Sequence, residues 1–158
     1  MHIEYSTQNI YFCKKSTMGR ILAFDYGRKR IGIAVTDPLK LIANGLDTMS
    51  QNDVYDFISS YIQKEEVESF VVGLPKNMDG SDSDSMKYIE PFVRSLKRKY
   101  PDIPVVMFDE RFTSVLAHKV MNEAGVKKKE KIQNKGLVDK ISATIILQSY
   151  LESQRTNL

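Results

Sequence analysis

The feature that most constrains the fold is a pair of short apolar runs joined by a basic turn. Residues 21–24 and 31–36 are each long enough for one strand, and a glycine lies between them. This pattern predicts two antiparallel strands joined in a tight hairpin. A carboxylate, Asp25, follows the first run, and three cations follow it at Arg28, Lys29 and Arg30. The corner is therefore suited to a metal ion beside phosphate.

Length and composition indicate one ordinary globular domain. The chain has 158 residues, of which 42% are hydrophobic and 27% are charged, as in typical soluble domains. No apolar stretch approaches the ~18–20 residues that span a bilayer. The single cysteine, Cys13, excludes an internal disulfide, and no Cys/His cluster suits structural zinc. The first residues lack the pattern of a signal peptide, so we expect a cytoplasmic protein.

Charge is unevenly distributed along the chain. Residues 1–40 carry seven Lys/Arg against three acids, residues 41–90 carry three against ten, and residues 91–140 carry twelve against six. If the two basic segments converge in space, they form a surface for a polyanion. On charge alone, a mixed solvated surface explains the pattern equally well.

Periodicity predicts a three-stranded meander followed by alternating helices and strands. The meander ends with a strand over residues 43–49. We expect helices over residues 54–62, 86–96, 113–124 and 137–151, strands over residues 70–74 and 103–108, and a lysine-rich linker over residues 126–136. Pro91 predicts a kink or a restart in the second helix.

This order indicates an α/β protein with a mixed five-stranded sheet and helices on its faces. Residues 1–18 lack clear periodicity, and Met18 directly precedes the first convincing strand. We therefore expect residues 1–18 to be a poorly ordered extension and residues 19–158 to be a single domain.

Three carboxylates occupy positions that a plain surface explains poorly. Asp25 ends the first strand, Glu110 follows the apolar run at 105–108, and Asp139 is predicted in the first turn of the last helix. Taken singly, these could be a turn residue, a surface partner of Arg111 and a helix-dipole partner. Because strands of such sheets present their carboxyl ends at one rim, we expect the three to meet there.

Small residues on the last helix support a close approach to the sheet. Ser142 and Ala143 lie three and four residues after Asp139, on the same helical face. We expect them to let the helix bring Asp139 to the rim.

The chemistry that suits this set is metal-dependent hydrolysis. Oxygen-only ligands suit Mg²⁺ or Mn²⁺, and two such ions about 4 Å apart can activate water and stabilise the leaving oxygen of a phosphodiester. No nucleophile–histidine arrangement competes, because the chain has only His2, His118 and Cys13 for that role.

Cations and an amide near the carboxylates are candidates for contact with the substrate. The lysines near residue 130 could instead be a solvated linker, and the loop after residue 74 could be an ordinary surface loop. The candidate substrate-binding residues are Arg28, Lys29, Arg30, Lys76, Asn77, Arg111, Lys127, Lys128, Lys129 and Lys135.

Four segments in order give the chain a family resemblance. They are Asp25-Tyr26-Gly27-Arg28-Lys29-Arg30-Ile31-Gly32, Gly73-Leu74-Pro75-Lys76-Asn77-Met78-Asp79-Gly80, Asp109-Glu110-Arg111-Phe112-Thr113 and Lys135-Gly136-Leu137-Val138-Asp139-Lys140. Across residues 19–152 the chain closely resembles the YqgF family of pre-16S rRNA nucleases, also called Holliday-junction-resolvase-like proteins.

The resemblance implies a ribonuclease H-like fold, shared with RuvC-type resolvases, and a divalent metal, Mg²⁺ or Mn²⁺. It implies that Asp25, Glu110 and Asp139 are the catalytic and metal-binding acids. It also implies that the substrate is the 5′ end of precursor 16S rRNA. Where RuvC-type sites often carry a fourth ligand, this chain has Ser142, which leaves open whether one or two metals bind.

Several alternatives remain open from the sequence. The same chemistry could resolve four-way DNA junctions, which requires two opposed sites and hence a dimer. A non-catalytic protein that binds nucleic acid is another reading. An actin- or sugar-kinase-like ATPase is a third alternative, although 158 residues leave room for only one of the two lobes that it needs. We expect a monomer or weak dimer that binds nucleic acid, can meet ribosomal particles and does not contact membranes.

Overall fold

The computed structural model describes residues 18–77, 79–110 and 135–156. The predicted helix over residues 113–124 and most of the predicted linker lie outside this part of the chain. The described strands and helices, in chain order, are β1 Arg20–Tyr26, β2 Arg30–Thr36, β3 Ala43–Ser50, α1 Val54–Lys64, β4 Val67–Leu74, α2 Met86–Lys99, β5 Val105–Asp109 and α3 Lys135–Thr156. None of the described helices is long and apolar enough to cross a bilayer.

The strands form one five-stranded sheet in the order β3-β2-β1-β4-β5. Strands β1, β2 and β3 pair antiparallel, whereas β4 runs parallel to both β1 and β5. The predicted α/β class, with an antiparallel meander followed by parallel strands, is confirmed. Because β1, β4 and β5 run in the same direction, their carboxyl ends share one rim of the sheet.

The two faces of the sheet bury separate apolar cores. In β1, Leu22 and Phe24 pack on the side of α1 and α2, while Ile21 and Ala23 pack on the side of α3. This alternation follows from the two-residue period of a strand. Asp25, the next residue in phase with Ala23, therefore belongs to the α3 side of the sheet.

Helix α2 shows one departure from the sequence prediction. It runs without a break from Met86 to Lys99 with Pro91 inside it, so the predicted restart is wrong. Proline removes a single backbone hydrogen bond and disfavours a helix interior by about 3 kcal/mol. Apolar residues on both sides of Pro91, including Ile89, Phe92 and Leu96, are buried in the core and hold the helix together.

Helix α3 begins earlier than its apolar pattern predicts. The helix includes Lys135 and Gly136, which the sequence pattern assigns to the linker, so Asp139 lies in the second turn and not in the first. The start of α3 is tied to the sheet, because the hydroxyl of Thr48 donates to the backbone oxygen of Gly136 at 2.6 Å. A tertiary contact thus extends the helix beyond the segment that its apolar residues define.

Candidate active site

The rim of the sheet brings Asp25 beside two glycines on neighbouring strands. Gly32 of β2 is the register partner of Asp25. Gly73 of β4 follows Val72, the partner of Phe24, so it lies on the other side of Asp25. Both neighbours of this carboxylate therefore lack a side chain.

Each glycine makes room for another of the predicted acids. A Cβ atom on Gly32 would lie 2.0 Å from the backbone oxygen of Asp139, and a Cβ atom on Gly73 would lie 2.4 Å from Oε1 of Glu110. Such distances are far below normal van der Waals contact. Gly32 thus lets α3 approach the sheet at Asp139, and Gly73 leaves space for the carboxyl group of Glu110.

An ion pair fixes the third carboxylate. Nε of Arg30 donates to Oδ2 of Asp139 at 2.8 Å, and both side chains are partly exposed. Arg30 starts β2 and has the same strand phase as Gly32, so it belongs to the α3 side of the sheet. One of the three cations of the basic turn is therefore held by a site carboxylate.

Burial and mutual repulsion make two of the carboxylates weak acids. The pKa of Asp25 rises from 3.8 to about 6, first because of burial and second because of the negative charge of Asp139. The pKa of Glu110 rises from 4.5 to about 7, mainly through burial and then through the charges of Asp25 and Asp109. Asp25 is thus electrostatically coupled to both other acids, as expected for groups that converge at one place.

These residues fit a hard divalent cation on charge and on ligand chemistry. Carboxylate oxygens are the ligands that Mg²⁺ and Mn²⁺ prefer, and a cation would offset the cost of ionising Asp25 and Glu110 together. Among residues 18–77, 79–110 and 135–156, no three side chains of the metal-ligating types form a group that could hold an ion. The fit is therefore one of ligand chemistry, with Asp25, Glu110 and Asp139 as the carboxylates that would supply oxygen ligands.

The raised pKa values predict that the metal-free protein loses stability as pH rises from about 4 to about 7. In this window the folded state binds more protons than the unfolded state, so the free energy of unfolding falls with pH. The double variant Asp25→Asn, Glu110→Gln lacks this contribution. Urea unfolding in EDTA should show that the variant gains about 1–3 kcal/mol on the wild type between pH 5 and pH 8. If the difference in free energy of unfolding between variant and wild type is the same at pH 5 and pH 8, this prediction is wrong.

The basic turn of the hairpin is rigidly held. The side-chain amide of Gln51 donates to the backbone oxygens of Gly27, at 3.1 Å, and Arg28, at 2.8 Å. The ring of Tyr26 stacks on Phe92 of α2, with 4.8 Å between ring centroids. The guanidinium of Arg28 lies on the α2 side of the sheet, whereas that of Arg30 lies on the α3 side. Lys29, at the tip of the turn, is exposed.

The loop after β4 is organised by its own side chains. The Nδ2 atom of Asn77 donates to Oγ of Ser81 at 3.0 Å, and Nζ of Lys76 lies 3.7 Å from Oδ1 of Asp82. Asn77 therefore has a structural task in this loop. Contact of Lys76 and Asn77 with substrate stays a prediction.

The remaining predicted substrate contacts cannot be placed. Arg111, Lys127, Lys128 and Lys129 lie outside the described residues, and Lys135 is described only as the first residue of α3. Sequence reasoning missed Gly32, Gly73 and Gln51. The glycines were within the quoted segments, but only the strand register shows that they flank Asp25.

The match between this chain and its curated relatives extends over nearly the whole length of each relative. A protein of Bacteroides fragilis and one of Bacteroides thetaiotaomicron are each 62% identical over 138 residues, which is 87% of this chain and 99% of theirs. One from Parabacteroides distasonis is 60% identical over 141 residues, 89% of this chain and all of its own. All three carry the name "Putative pre-16S rRNA nuclease".

A solved structure and a family model complete the comparison. The structure of Archaeoglobus fulgidus Pelota covers 72% of this chain and 36% of its own at 14% identity and a TM-score of 0.40, a likeness too low to carry an argument. The model of the RuvX family, described as Holliday junction resolvase, matches residues 19–153. With its mixed sheet and its rim of carboxylates, the chain belongs to the RuvX family and has the ribonuclease H-like fold.

Proposed function

We propose that this protein is a divalent-metal-dependent nuclease that processes the 5′ end of precursor 16S rRNA. One observation carries the proposal: Asp25 lies between two glycines whose missing side chains admit Glu110 on one side and Asp139 on the other. Carboxylates that repel one another beside a basic turn are poorly suited to bind phosphate without an intervening cation. A nuclease site uses that cation.

Different residues of the chain would have different roles in hydrolysis. Asp25 and Glu110 would hold Mg²⁺ or Mn²⁺, with Asp139 as the third ligand. When bound, the metal supplies an activated water and stabilises the leaving oxygen of the phosphodiester. Arg30 makes an ion pair with Asp139, and Arg28 and Lys29 would meet the phosphate backbone.

The relatives and the family suggest different substrates. The curated relatives, which share 60–62% of aligned residues with this chain, are named for precursor 16S rRNA, whereas the family description names Holliday junctions. We favour rRNA because the relatives match along nearly their whole length. Acting on precursor rRNA would place the protein in the cytoplasm and in contact with ribosomal particles.

A side-by-side cleavage assay tests this proposal. We expect the full chain with Mn²⁺ or Mg²⁺ to trim 5′-extended 16S rRNA, to leave a four-way DNA junction intact, and to lose activity in EDTA. Cleavage of the junction but not of the rRNA would establish the second candidate, a resolvase. Tight, salt-sensitive binding to the rRNA without turnover in either metal would overturn the enzymatic proposal.

A further inference from the structure

The basic turn of the hairpin divides its arginines between the two faces of the sheet. Arg30 lies on the α3 side, in an ion pair with Asp139. The guanidinium of Arg28 lies instead over the ring of Tyr88 on α2, with 4.8 Å between its central carbon and the ring centroid. The two guanidinium groups therefore lie on opposite sides of the rim.

A second cation meets Arg28 at the same aromatic ring. Nζ of Lys87 lies 5.3 Å from the centroid of Tyr88. Tyr88 is 37% exposed, and Arg28 and Lys87 are exposed as well. The π-system of the ring attracts both cations, so Arg28 and Lys87 both lie beside one exposed ring.

No carboxylate neutralises this pair within the described part of the chain. Among residues 18–77, 79–110 and 135–156, neither Arg28 nor Lys87 makes an ion pair, whereas Arg30, Lys40 and Lys76 each do. The backbone under Arg28 is fixed by Gln51. Within the described part of the chain the two charges thus lack an ion-pair partner, and the backbone that carries Arg28 is held in place, so both cations are available to an external anion.

We propose that Arg28, Lys87 and Tyr88 form a phosphate-binding subsite for the substrate backbone on the α2 side of the rim. Arg28 and Lys87 contact the phosphate, and Tyr88 is a positioning residue that holds them. The substrate strand then crosses the rim at the hairpin turn, from the carboxylates on the α3 side to this subsite. This inference rests on the proposed nuclease function, since it assigns a second contact to the same substrate.

The subsite can be tested by binding without cleavage. The full chain in EDTA is titrated into a fluorescent single-stranded RNA of about 12 nucleotides, with KCl varied from about 50 to 200 mM. Each phosphate contact that is lost should lower the slope of log Kd against log salt by about 0.7. We expect Tyr88→Ala to weaken binding about 3–10-fold and to lower the slope by about one contact. Tyr88→Phe, which keeps the ring, should behave as the wild type.

Helix α2 offers a matched control for the lysine. Nζ of Lys99 lies 5.0 Å from the ring centroid of Tyr55, in the same kind of contact, but twelve residues or about 18 Å further along the helix. Lys87→Met should lower the salt slope, and Lys99→Met should not. Both substitutions are on the surface, so both variants should fold, as their urea midpoints will verify.

Two results would overturn the subsite. In one, Tyr88→Ala keeps the salt slope of the wild type; in the other, Lys99→Met lowers it as much as Lys87→Met does. Because binding is measured without metal, failure of the nuclease proposal remains separable. If RNA binding depends on Tyr88 but the wild type never cleaves RNA, the subsite is supported and the nuclease proposal is contradicted. If the wild type cleaves RNA but substitution of Tyr88 has no effect on binding, the nuclease proposal is supported and the subsite is contradicted.

Discussion

Asp25→Asn should reduce cleavage by at least roughly 10³-fold and at the same time stabilise the metal-free protein. The amide keeps the size of the carboxyl group but removes the charge that the proposed metal needs. It also removes the cost of a buried charge and its repulsion by Asp139, which together raise the pKa of Asp25 to about 6. At pH 8 in EDTA we expect the free energy of unfolding to increase by about 1–2 kcal/mol. Cleavage assays and urea unfolding of the same preparations measure both effects.

Asp37→Ala is the control for this prediction. The carboxylate of Asp37 is exposed just beyond β2, and it accepts hydrogen bonds from the backbone N–H groups of Leu39, Leu41 and Ile42. Those bonds lower the pKa of Asp37, so its charge stabilises the fold. Its removal should lower stability and leave cleavage intact. Activity within tenfold of the wild type in Asp25→Asn, or an unchanged stability, would refute the role that we assign to Asp25.

Gly32→Ala should destabilise the protein by about 3 kcal/mol and should abolish cleavage. The added methyl group would lie 2.0 Å from the oxygen and 2.4 Å from the carbonyl carbon of Asp139. These are backbone atoms of a helix, so no change of side-chain rotamer relieves the overlap. The first turns of α3 must move away from the sheet and take Asp139 with them. Urea unfolding and amide hydrogen exchange across α3 measure the two consequences.

Gly45→Ala is the matched control for Gly32→Ala. A methyl group at Gly45 of β3 meets the same helix, but its nearest atoms belong to the side chain of Lys140, at 2.6 and 2.9 Å. That side chain can rotate away, so we expect a loss of only about 1 kcal/mol and retained cleavage. Equal effects of the two substitutions would show that close backbone approach at Gly32 is not what places Asp139.

Local pattern was sufficient to predict the sheet and the rim. The alternation of Leu22, Ala23 and Phe24 reflects a strand buried on both faces, and carboxylates at strand ends follow from where the apolar runs stop. The mixed sheet was predictable for that reason, and so was the location of Asp25 and Glu110 at the ends of their strands.

What escaped prediction depends on contacts between distant segments. Small residues on α3 were expected to permit its approach, and Ala143 is buried in the core on that side of the sheet. The missing side chain of Gly32 on the strand also permits the approach, and that contribution was not predicted. The ion pair of Arg30 with Asp139 joins residues 109 positions apart. The continuity of α2 through Pro91 depends on burial on both sides of the proline. No local periodicity encodes such contacts.

The distance along the chain between Asp25 and Asp139 has a consequence for how the enzyme is made. Asp25 lies in the first strand and Asp139 in the last helix, so the proposed centre contains groups from both ends of the fold. Domains begin to fold during synthesis, from the amino terminus onward. A chain still held by the ribosome after β5 would carry Asp25 and Glu110 but not α3. The proposed centre would therefore be complete only after α3 has been synthesised.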